Sequence, residues 1–304
     1  MIKRLLLFAL AITTMAFVTA PQTQAEPLVA ITFNNVLVRF DSDTPGTIST
    51  VPITGLMGDT LFGIDYRPSN GVLYGISIAP AFVSRLYTIN PVTGAATFVA
   101  RLSPGPNNEL GSDFNPVADT QGLTSLRVVT QNEQNFRVNA DTGETIEDGN
   151  INGVPSTAQI IGVAYTNNFL GATSTTLYGI DATSNQLFRF TDPNAGTVVS
   201  VGALGVDIGF NFIDFDISGS TGVAYAALRT EVTQTLPFSS LYTINLATGQ
   251  ASLVGLIGPE APNGFPLRGL TVMPGNPIPE PTTMLLLSTG LAGIAAKVRR
   301  RNKK

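Results

Sequence analysis

Three aspartates occupy matching positions in a short segment that recurs five times along the chain. The five segments are residues 63–66, 111–114, 162–165, 214–217 and 269–272. Their third residues are Asp65, Asp113, Ala164, Asp216 and Thr271. Clustered carboxylate oxygens are the ligands that Ca²⁺ prefers. If the fold brings the repeats together, Asp65, Asp113 and Asp216 are a candidate metal site.

A structural role for the same aspartates is the competing interpretation. Asp side chains commonly accept hydrogen bonds from backbone N–H groups of a neighbouring turn and thereby fix its conformation. Both interpretations place the carboxylates on the first strand of a repeat unit, near the axis around which the units are arranged, and the sequence alone leaves both open.

The residue types that are missing exclude many chemistries. The 304 residues include no Cys, His or Trp. This excludes thiol nucleophiles, disulfides, imidazole catalysis, Ser-His-Asp triads and zinc sites built from Cys or His. An enzyme acting on polysaccharide would have to use carboxylates, as most glycosidases do. It would also have no Trp on which to stack a sugar ring.

The charge distribution separates the body of the chain from its ends. Residues 26–278 contain nine arginines, no lysine and 20 acidic residues, a net charge of −11. The arginines are scattered singly, so nucleic-acid binding has no electrostatic basis. Arg67, Arg127 and Arg137 are candidate ligands for an anion, or bridges between neighbouring elements.

The N-terminal segment predicts export. Lys3 and Arg4 precede an apolar run over residues 5–20, and small residues around Ala25 offer a cleavage point before Glu26. This layout is typical of a secretory signal peptide, here residues 1–25. An uncleaved membrane anchor is the alternative, although the apolar run is shorter than the ~20 residues that span a bilayer.

The C-terminal segment has three parts in a fixed order. Pro279, Glu280 and Pro281 precede an apolar stretch over residues 282–298, and Arg299, Arg300 and Arg301 follow. The layout resembles the PEP-CTERM sorting signal of Gram-negative bacteria. That resemblance implies secretion, transient anchoring in the inner membrane, cutting by an exosortase-type enzyme and delivery to the cell surface or medium. The ~17 apolar residues reach the lower limit of a spanning helix. An ordinary C-terminal anchor remains the alternative.

Between these ends, one turn recurs five times. Each copy opens with Asn or Asp and closes with Gly46, Gly94, Gly143, Gly196 or Gly249, at spacings of 48, 49, 53 and 53 residues. Asx side chains bond the turn backbone and Gly adopts positive φ, so these turns predict hairpins. About four short strands fit between successive turns, and no amphipathic helix is evident.

Four strands in a unit of ~50 residues predict the blade of a β-propeller. The first unit lacks its innermost strand, and an unpaired strand of that type occurs at residues 269–273. We therefore predict an all-β, five-bladed propeller over residues 28–274, closed by pairing of the C-terminal strand with the N-terminal blade. Residues 275–304 form the linker and sorting segment. Six or seven blades stay possible if residues 52–56 and 166–172 form strands, and a solenoid or β-sandwich is the alternative fold.

Several segments resemble the bacterial domain of unknown function 4394. They are residues 61–68, 86–91, 113–116, 126–129 and 134–139. The resemblance extends over about residues 28–273 and departs from the family pattern at 118–125, where a connection is longer. It supports the extent of the domain and implies no activity.

Two functions are compatible with these features. The first is a non-catalytic exported protein of the cell surface or extracellular matrix, whose propeller binds polysaccharide or a surface protein or acts as a structural module. The alternative is an exported enzyme that acts on polysaccharide with carboxylates and Ca²⁺. We favour the first, and expect no cofactor other than a possible Ca²⁺.

Overall fold

Five antiparallel sheets of four strands make up the protein, as seen in a computed structural model that describes residues 25–79, 83–155, 158–208, 213–230, 238–259 and 266–275. Blade 1 contains β1 (Pro27–Thr32), β2 (Val36–Asp41), β3 (Ser49–Pro52) and the closing strand β20 (Leu267–Val272). Blade 2 contains β4 (Thr60–Tyr66), β5 (Leu73–Ala79), β6 (Val83–Ile89) and β7 (Ala96–Arg101). Blade 3 contains β8 (Leu110–Phe114), β9 (Leu126–Thr130), β10 (Asn135–Val138) and β11 (Thr145–Glu147).

The remaining two blades follow the same order. Blade 4 contains β12 (Ile160–Tyr165), β13 (Leu177–Asp181), β14 (Gln186–Asp192) and β15 (Thr197–Ala203). Blade 5 contains β16 (Asp214–Ile217), β17 (Ala224–Leu228), β18 (Ser240–Ile244) and β19 (Ala251–Leu256). The sheets form a five-bladed β-propeller, as predicted, with β20, β4, β8, β12 and β16 side by side around the axis.

The ring is closed by the two ends of the body. Strand β20 pairs antiparallel with β1, with Leu28 opposite Val272 and Ala30 opposite Leu270. This confirms the predicted closure. It also completes a sheet whose innermost strand would otherwise be absent, so that β1 has partners on both sides.

A second link joins the start of β1 to blade 5. The carboxylate of Glu26, which is 5% exposed, accepts hydrogen bonds from the hydroxyls of Ser218, Ser220, Thr221 and Tyr225. The Ser220 and Thr221 contacts are 2.8 Å long and the Tyr225 contact is 3.0 Å. Since a buried carboxylate needs several donors, these four fix the chain end against the neighbouring blade.

Apolar side chains fill the space between blades. Each of five clusters combines residues of two neighbouring sheets, so every interface has its own core. Tyr66, Phe114, Tyr165 and Phe215 belong to four of these clusters and are at most 4% exposed. Strand alternation accounts for this burial, because each of these side chains points to the face opposite that of the residue before it.

The recurring glycine turn attaches each blade to the one before it. Gly94 has φ +72°, and a Cβ there would lie 2.3 Å from the carbonyl oxygen of Pro52 in blade 1. Gly196 has φ +70° and a similar approach of 2.3 Å to the carbonyl oxygen of Asn150. Glycine is required at these positions for the left-handed backbone and for the close contact with the next sheet.

Two local expectations need correction. Residues 52–56 and 166–172 add no strand beyond the end of β3, so six or seven blades are wrong. No helix is evident in the sequence, but the longer connection around 118–125 begins with a short helix, α1 (Pro116–Thr120), and β9 follows from Leu126. Asn115 caps this helix, because its Oδ1 accepts hydrogen bonds of 3.0 Å from the N–H groups of Val117 and Ala118.

Candidate functional site at the propeller axis

The structure brings the three predicted aspartates together at the axis. Asp65 on β4, Asp113 on β8 and Asp216 on β16 are 3%, 1% and 2% exposed. Burial raises the pKa of Asp65 and Asp113 well above the ordinary value, and the charge of Asp216 raises both further. Burial also raises the pKa of Asp216.

One oxygen of each aspartate accepts a hydrogen bond from the backbone of the next innermost strand. The pairs are Asp65 with the N–H of Phe114 (2.8 Å), Asp113 with that of Tyr165 (3.0 Å) and Asp216 with that of Val272 (2.6 Å). These bonds connect blade 2 to blade 3, blade 3 to blade 4 and blade 5 to blade 1. The carboxylates therefore link neighbouring blades through hydrogen bonds.

The structural role predicted from the sequence is also present. Asp65 Oδ1 accepts a 2.7 Å hydrogen bond from the N–H of Tyr66, and Asp216 Oδ1 accepts one of 2.6 Å from the N–H of Ile217. Sequence reasoning missed the bonds between blades. The alignment of the repeats was the available signal, since a carboxylate at the same position of neighbouring innermost strands faces the adjacent backbone.

Thr271 links two of the carboxyl groups. Its Oγ1 lies 2.9 Å from Asp65 Oδ1 and 3.0 Å from Asp216 Oδ2. A hydroxyl has one proton to donate, so two hydrogen bonds at this oxygen require a proton on one of the carboxyl groups. Burial raises the pKa of both Asp65 and Asp216, which favours the neutral form of a carboxyl group at this position.

One axial oxygen lacks a partner. Asp113 Oδ1 is buried and has no hydrogen bond. Ala164 occupies the matching position on β12 and supplies no polar group towards it. Within the described ranges, no group of three or more Asp or Glu side chains has the arrangement of a metal site. The Ca²⁺ site at Asp65, Asp113 and Asp216 stays a prediction.

The axis has two differing ends. We call the end where the five innermost strands begin the upper mouth, and the end where they finish the lower mouth. At the upper mouth, Arg268 pairs with Glu109 at 2.8 Å, and its guanidinium carbon lies 4.1 Å from the ring centres of both Phe33 and Phe62. Burial raises the pKa of the nearby Asp214 well above its ordinary value, and the charge of Glu109 raises it further.

These groups leave almost no space at the upper mouth. The cavity lined by Phe62, Leu110, Asp214 and Arg268 has a volume of about 20 Å³, which is room for a single water molecule. A substrate therefore has no room to enter along the axis from this side. No sequence motif marks this closure, because Arg268 and Glu109 are 159 positions apart.

The lower mouth is open. Its cavity has a volume of about 690 Å³ and is lined by the ends of β4, β16 and β20 and by the connections that follow. Tyr66 lines it with an Oη that is buried and without a hydrogen-bond partner, and burial raises the pKa of this phenol to about 12. Phe169 and Leu170 line its outer side, and the last described residue, Gly275, lies at its rim.

The predicted arginine candidates form ion pairs, and two of them, Arg67 and Arg127, bridge neighbouring blades. Arg67 donates from Nε to Asp119 at 2.6 Å and through both terminal nitrogens to Asp141 at 2.6 and 3.0 Å, which joins blades 2 and 3. Asp141 is exposed, and the Arg67 hydrogen bonds hold its pKa below the ordinary value. Each of the three Arg67 nitrogens donates to a carboxylate, so the charge of Arg67 is compensated within the protein.

Arg127 and Arg137 meet at one carboxylate. Both donate to Asp148, at 2.7 Å, and Arg127 also donates to Asn135 and, in blade 4, to Asn194. Burial alone would raise the pKa of Asp148, but the hydrogen bonds from the two arginines keep it below the ordinary value. A cavity of about 310 Å³ lies beside this network and includes both arginines in its wall.

The sorting residues lie outside the described residues. These are Pro279, Glu280, Pro281, Arg299, Arg300 and Arg301, together with the apolar stretch 282–298 and the signal segment up to residue 24. No helix within the described part of the chain has the length and hydropathy needed to cross a membrane. The proposed anchoring is therefore argued from sequence.

The fold and the axis define a five-bladed β-propeller with a closed upper mouth and with axial carboxylates that link neighbouring blades. The chain belongs to the family described as Domain of unknown function (DUF4394), which matches residues 36–271. The PEP-CTERM protein-sorting motif matches residues 277–301. Both resemblances seen in the sequence are thus confirmed. The sorting motif indicates an exported protein, and the propeller is a fold typical of binding modules.

Solved structures with a similar fold are varied. A chain of the nidogen/laminin complex is 13% identical, with 82% of this chain and 98% of that one covered and a TM-score of 0.48. TolB from Acinetobacter baumannii is 12% identical, with 82% and 67% covered and a TM-score of 0.49. Similarity at this level carries no argument about a ligand. A comparison with curated protein sequences gives no match.

Proposed function

We propose that this protein is a non-catalytic component of the bacterial cell surface or extracellular matrix, with the propeller as its binding module for polysaccharide or a surface protein. The observation that carries the proposal is the use of the axial carboxylates. Asp65, Asp113 and Asp216 are at most 3% exposed, and each bonds the backbone of an adjacent blade, including Asp216, which also lines the lower cavity. Carboxylates that hydrolyse a glycosidic bond must flank a substrate.

The two chain ends supply the route. The signal peptide directs the chain to the secretion machinery, and the C-terminal helix holds it transiently in the inner membrane. An exosortase-type enzyme then cuts near Pro279, Glu280 and Pro281 and releases the body to the surface or medium. The matching sorting motif supports this route. The basic residues after the helix resist crossing, since each costs about 3 kcal/mol at the membrane centre.

A metal and activity analysis tests the non-catalytic role. The purified protein is assayed for bound Ca²⁺ and for turnover of acidic and neutral polysaccharides, beside Asp65→Asn and the exposed control Glu147→Gln on the outermost strand β11. We expect no turnover in any of the three. Bound Ca²⁺ with turnover that is lost only in Asp65→Asn would establish the alternative, an exported carboxylate-dependent enzyme.

Replacing Pro279, Glu280 and Pro281 with alanine tests the route. The helix and the basic cluster stay intact, so the protein should still reach the membrane but remain there at full length. A matched variant with alanine in place of Thr282, Thr283 and Met284 should be processed normally. Normal release of a shortened product from the Pro-Glu-Pro variant would contradict the role of this motif.

A further inference from the structure

The connections at the lower mouth expose large apolar side chains. Leu123 is 56% exposed, Phe169 46% and Leu170 62%. Leu123 follows helix α1, while Phe169 and Leu170 belong to the connection between β12 and β13. A hydrogen bond of 3.1 Å from the N–H of Gly171 to Thr120 Oγ1 joins the two connections. We call the surface carried by Leu123, Phe169 and Leu170 the lower face. Neighbouring exposed apolar residues of this size usually mark a contact surface.

The chain leaves the body at the same place. Met273, Pro274 and Gly275 line the lower cavity together with Phe169 and Leu170. Thr282, where the apolar stretch begins, is seven positions after Gly275. A fully extended chain spans at most about 3.6 Å per residue, so the start of the stretch lies within about 25 Å of the rim.

This short tether determines which side of the propeller approaches the membrane. When the apolar stretch is inserted, the lower mouth is held within about 25 Å of the hydrocarbon, and the headgroup layer occupies about 6 Å of that distance. The upper mouth is on the opposite side of the ring. The tether thus brings to the lipid the surface with Leu123, Phe169 and Leu170 around the chain exit.

Charge attraction contributes little to such a contact. The body has no lysine and a net charge of −11. Arg67, in the connection after β4, forms ion pairs with Asp119 and Asp141, which compensate its charge. Apolar side chains at an interface do not need anionic lipid, because burial of their surface supplies the free energy.

We infer that the lower face docks on the lipid bilayer while the tail is inserted, with Phe169 and Leu170 beside the chain exit and Leu123 next to them in contact with lipid. The inference rests on the proposed membrane insertion of the tail. It adds an orientation: the propeller axis points at the membrane, the open cavity faces the lipid, and the closed upper mouth faces outwards.

The absence of tryptophan makes the contact measurable, because one introduced Trp is a unique fluorophore. Full-length protein that retains residues 276–304 is reconstituted in phosphatidylcholine vesicles with or without brominated acyl chains. The variant is Phe169→Trp. The control is Phe98→Trp on the outer strand β7, where the side chain is also 46% exposed. Flotation of the vesicles measures insertion of the tail separately.

We expect blue-shifted emission of Phe169→Trp in vesicles and loss of most of its fluorescence with brominated lipid, and no such change for Phe98→Trp. A flexible Gly/Ser insert of about 20 residues after Gly275, which adds about 25 Å on average, should leave the quenching largely in place. Adding Leu123→Ser and Leu170→Ser to that lengthened chain should abolish it. An unchanged melting temperature of each variant shows that it is still folded.

The contrary outcomes are separable. Protein that floats with the vesicles but shows no quenching of Phe169→Trp overturns docking and leaves the tail anchor standing. Protein that does not float overturns both. Emission that is already blue-shifted in detergent and insensitive to bromine would show that residues 276–281 cover the lower face. Quenching lost with the longer linker would show proximity without contact, and would also overturn the inference.

Discussion

The two mouths of the axis are built on opposite principles. At the upper mouth, Arg268, Glu109 and two phenylalanine rings close the opening to about 20 Å³. At the lower mouth, about 690 Å³ stays open beneath loops with exposed apolar side chains. Groups that are paired and buried contribute to the stability of the ring, whereas groups that are exposed contribute little. The side chains at the upper mouth therefore stabilise the fold, whereas the exposed side chains at the lower mouth contribute little to stability and are accessible for contacts.

Breaking the upper closure should have the largest effect. Arg268→Ala removes the partner of the half-buried Glu109 and the stacking on Phe33 and Phe62. We expect a loss of about 3 kcal/mol in the free energy of unfolding. Denaturant titration measures it, with the exposed Arg189→Ala as the control at about 0.5 kcal/mol or less. Equal small losses in both variants would show that the upper mouth is not a structural seal.

Asp113 and Asp216 occupy matching positions in the repeated segment but differ in their hydrogen bonds. Both oxygens of Asp216 accept hydrogen bonds from N–H groups, so the amide of Asp216→Asn must face a donor, and we expect a loss of about 2 kcal/mol. Asp113 uses one oxygen only, so Asp113→Asn should change stability by less than about 1 kcal/mol. Thermal unfolding of both variants would reveal any reversal of this order.

The pH dependence should sharpen the same contrast. The pKa of Asp113 is raised in the folded protein, so its contribution to stability is complete below the unfolded pKa and is lost as the pH rises towards the folded pKa. Asp113→Asn removes this loss. The variant should therefore gain stability relative to wild type as the pH rises above the ordinary Asp pKa of about 4. Carboxylates with a lowered pKa, such as Asp148, contribute equally to the pH dependence of stability in the wild type and in the variant. A constant difference across this range would contradict a buried neutral carboxyl group.

The smallest effect is expected at the lower face. Leu170→Ser changes a side chain that is 62% exposed, so the free energy of unfolding should stay within about 0.5 kcal/mol of wild type. Leu110→Ala at the upper mouth, where the side chain is 6% exposed, is the matched contrast and should cost about 2 kcal/mol or more. Chemical denaturation compares the two directly. A large loss in Leu170→Ser would mean that the lower loops are part of the core.

The repeat made most of the fold predictable. Gly94 and Gly196 mark equivalent turns because both require positive φ and a close approach to the preceding blade, so their spacing measures the blade length. The strand at residues 269–273 predicted closure because its only unpaired counterpart is the N-terminal blade. Asp65, Asp113 and Asp216 were placed at the axis for the same reason.

The features that do not repeat were not predictable. The pairing of Arg268 with Glu109 joins residues from different blades, and a single sequence carries no signal for such a contact. The open lower cavity depends on the residues that follow β4, β12, β16 and β20, which have no common length or sequence. The proton shared through Thr271 follows from two distances at one hydroxyl, which only the coordinates supply.

Ring closure by β20 also has a consequence for timing. In a chain exported from its N-terminus, β1 crosses the membrane first, and it has no partner on one side until β20 follows. Strand β20 starts 235 positions after the last residue of β1. Joining those ends across an unstructured chain would cost about 5 kcal/mol of entropy, and the blades that form in between reduce this cost. Strand β20 ends ten positions before Thr282. On the proposed export route, β20 would therefore pair with β1 only shortly before the apolar stretch reaches the bilayer, and until then one edge of β1 would have no partner.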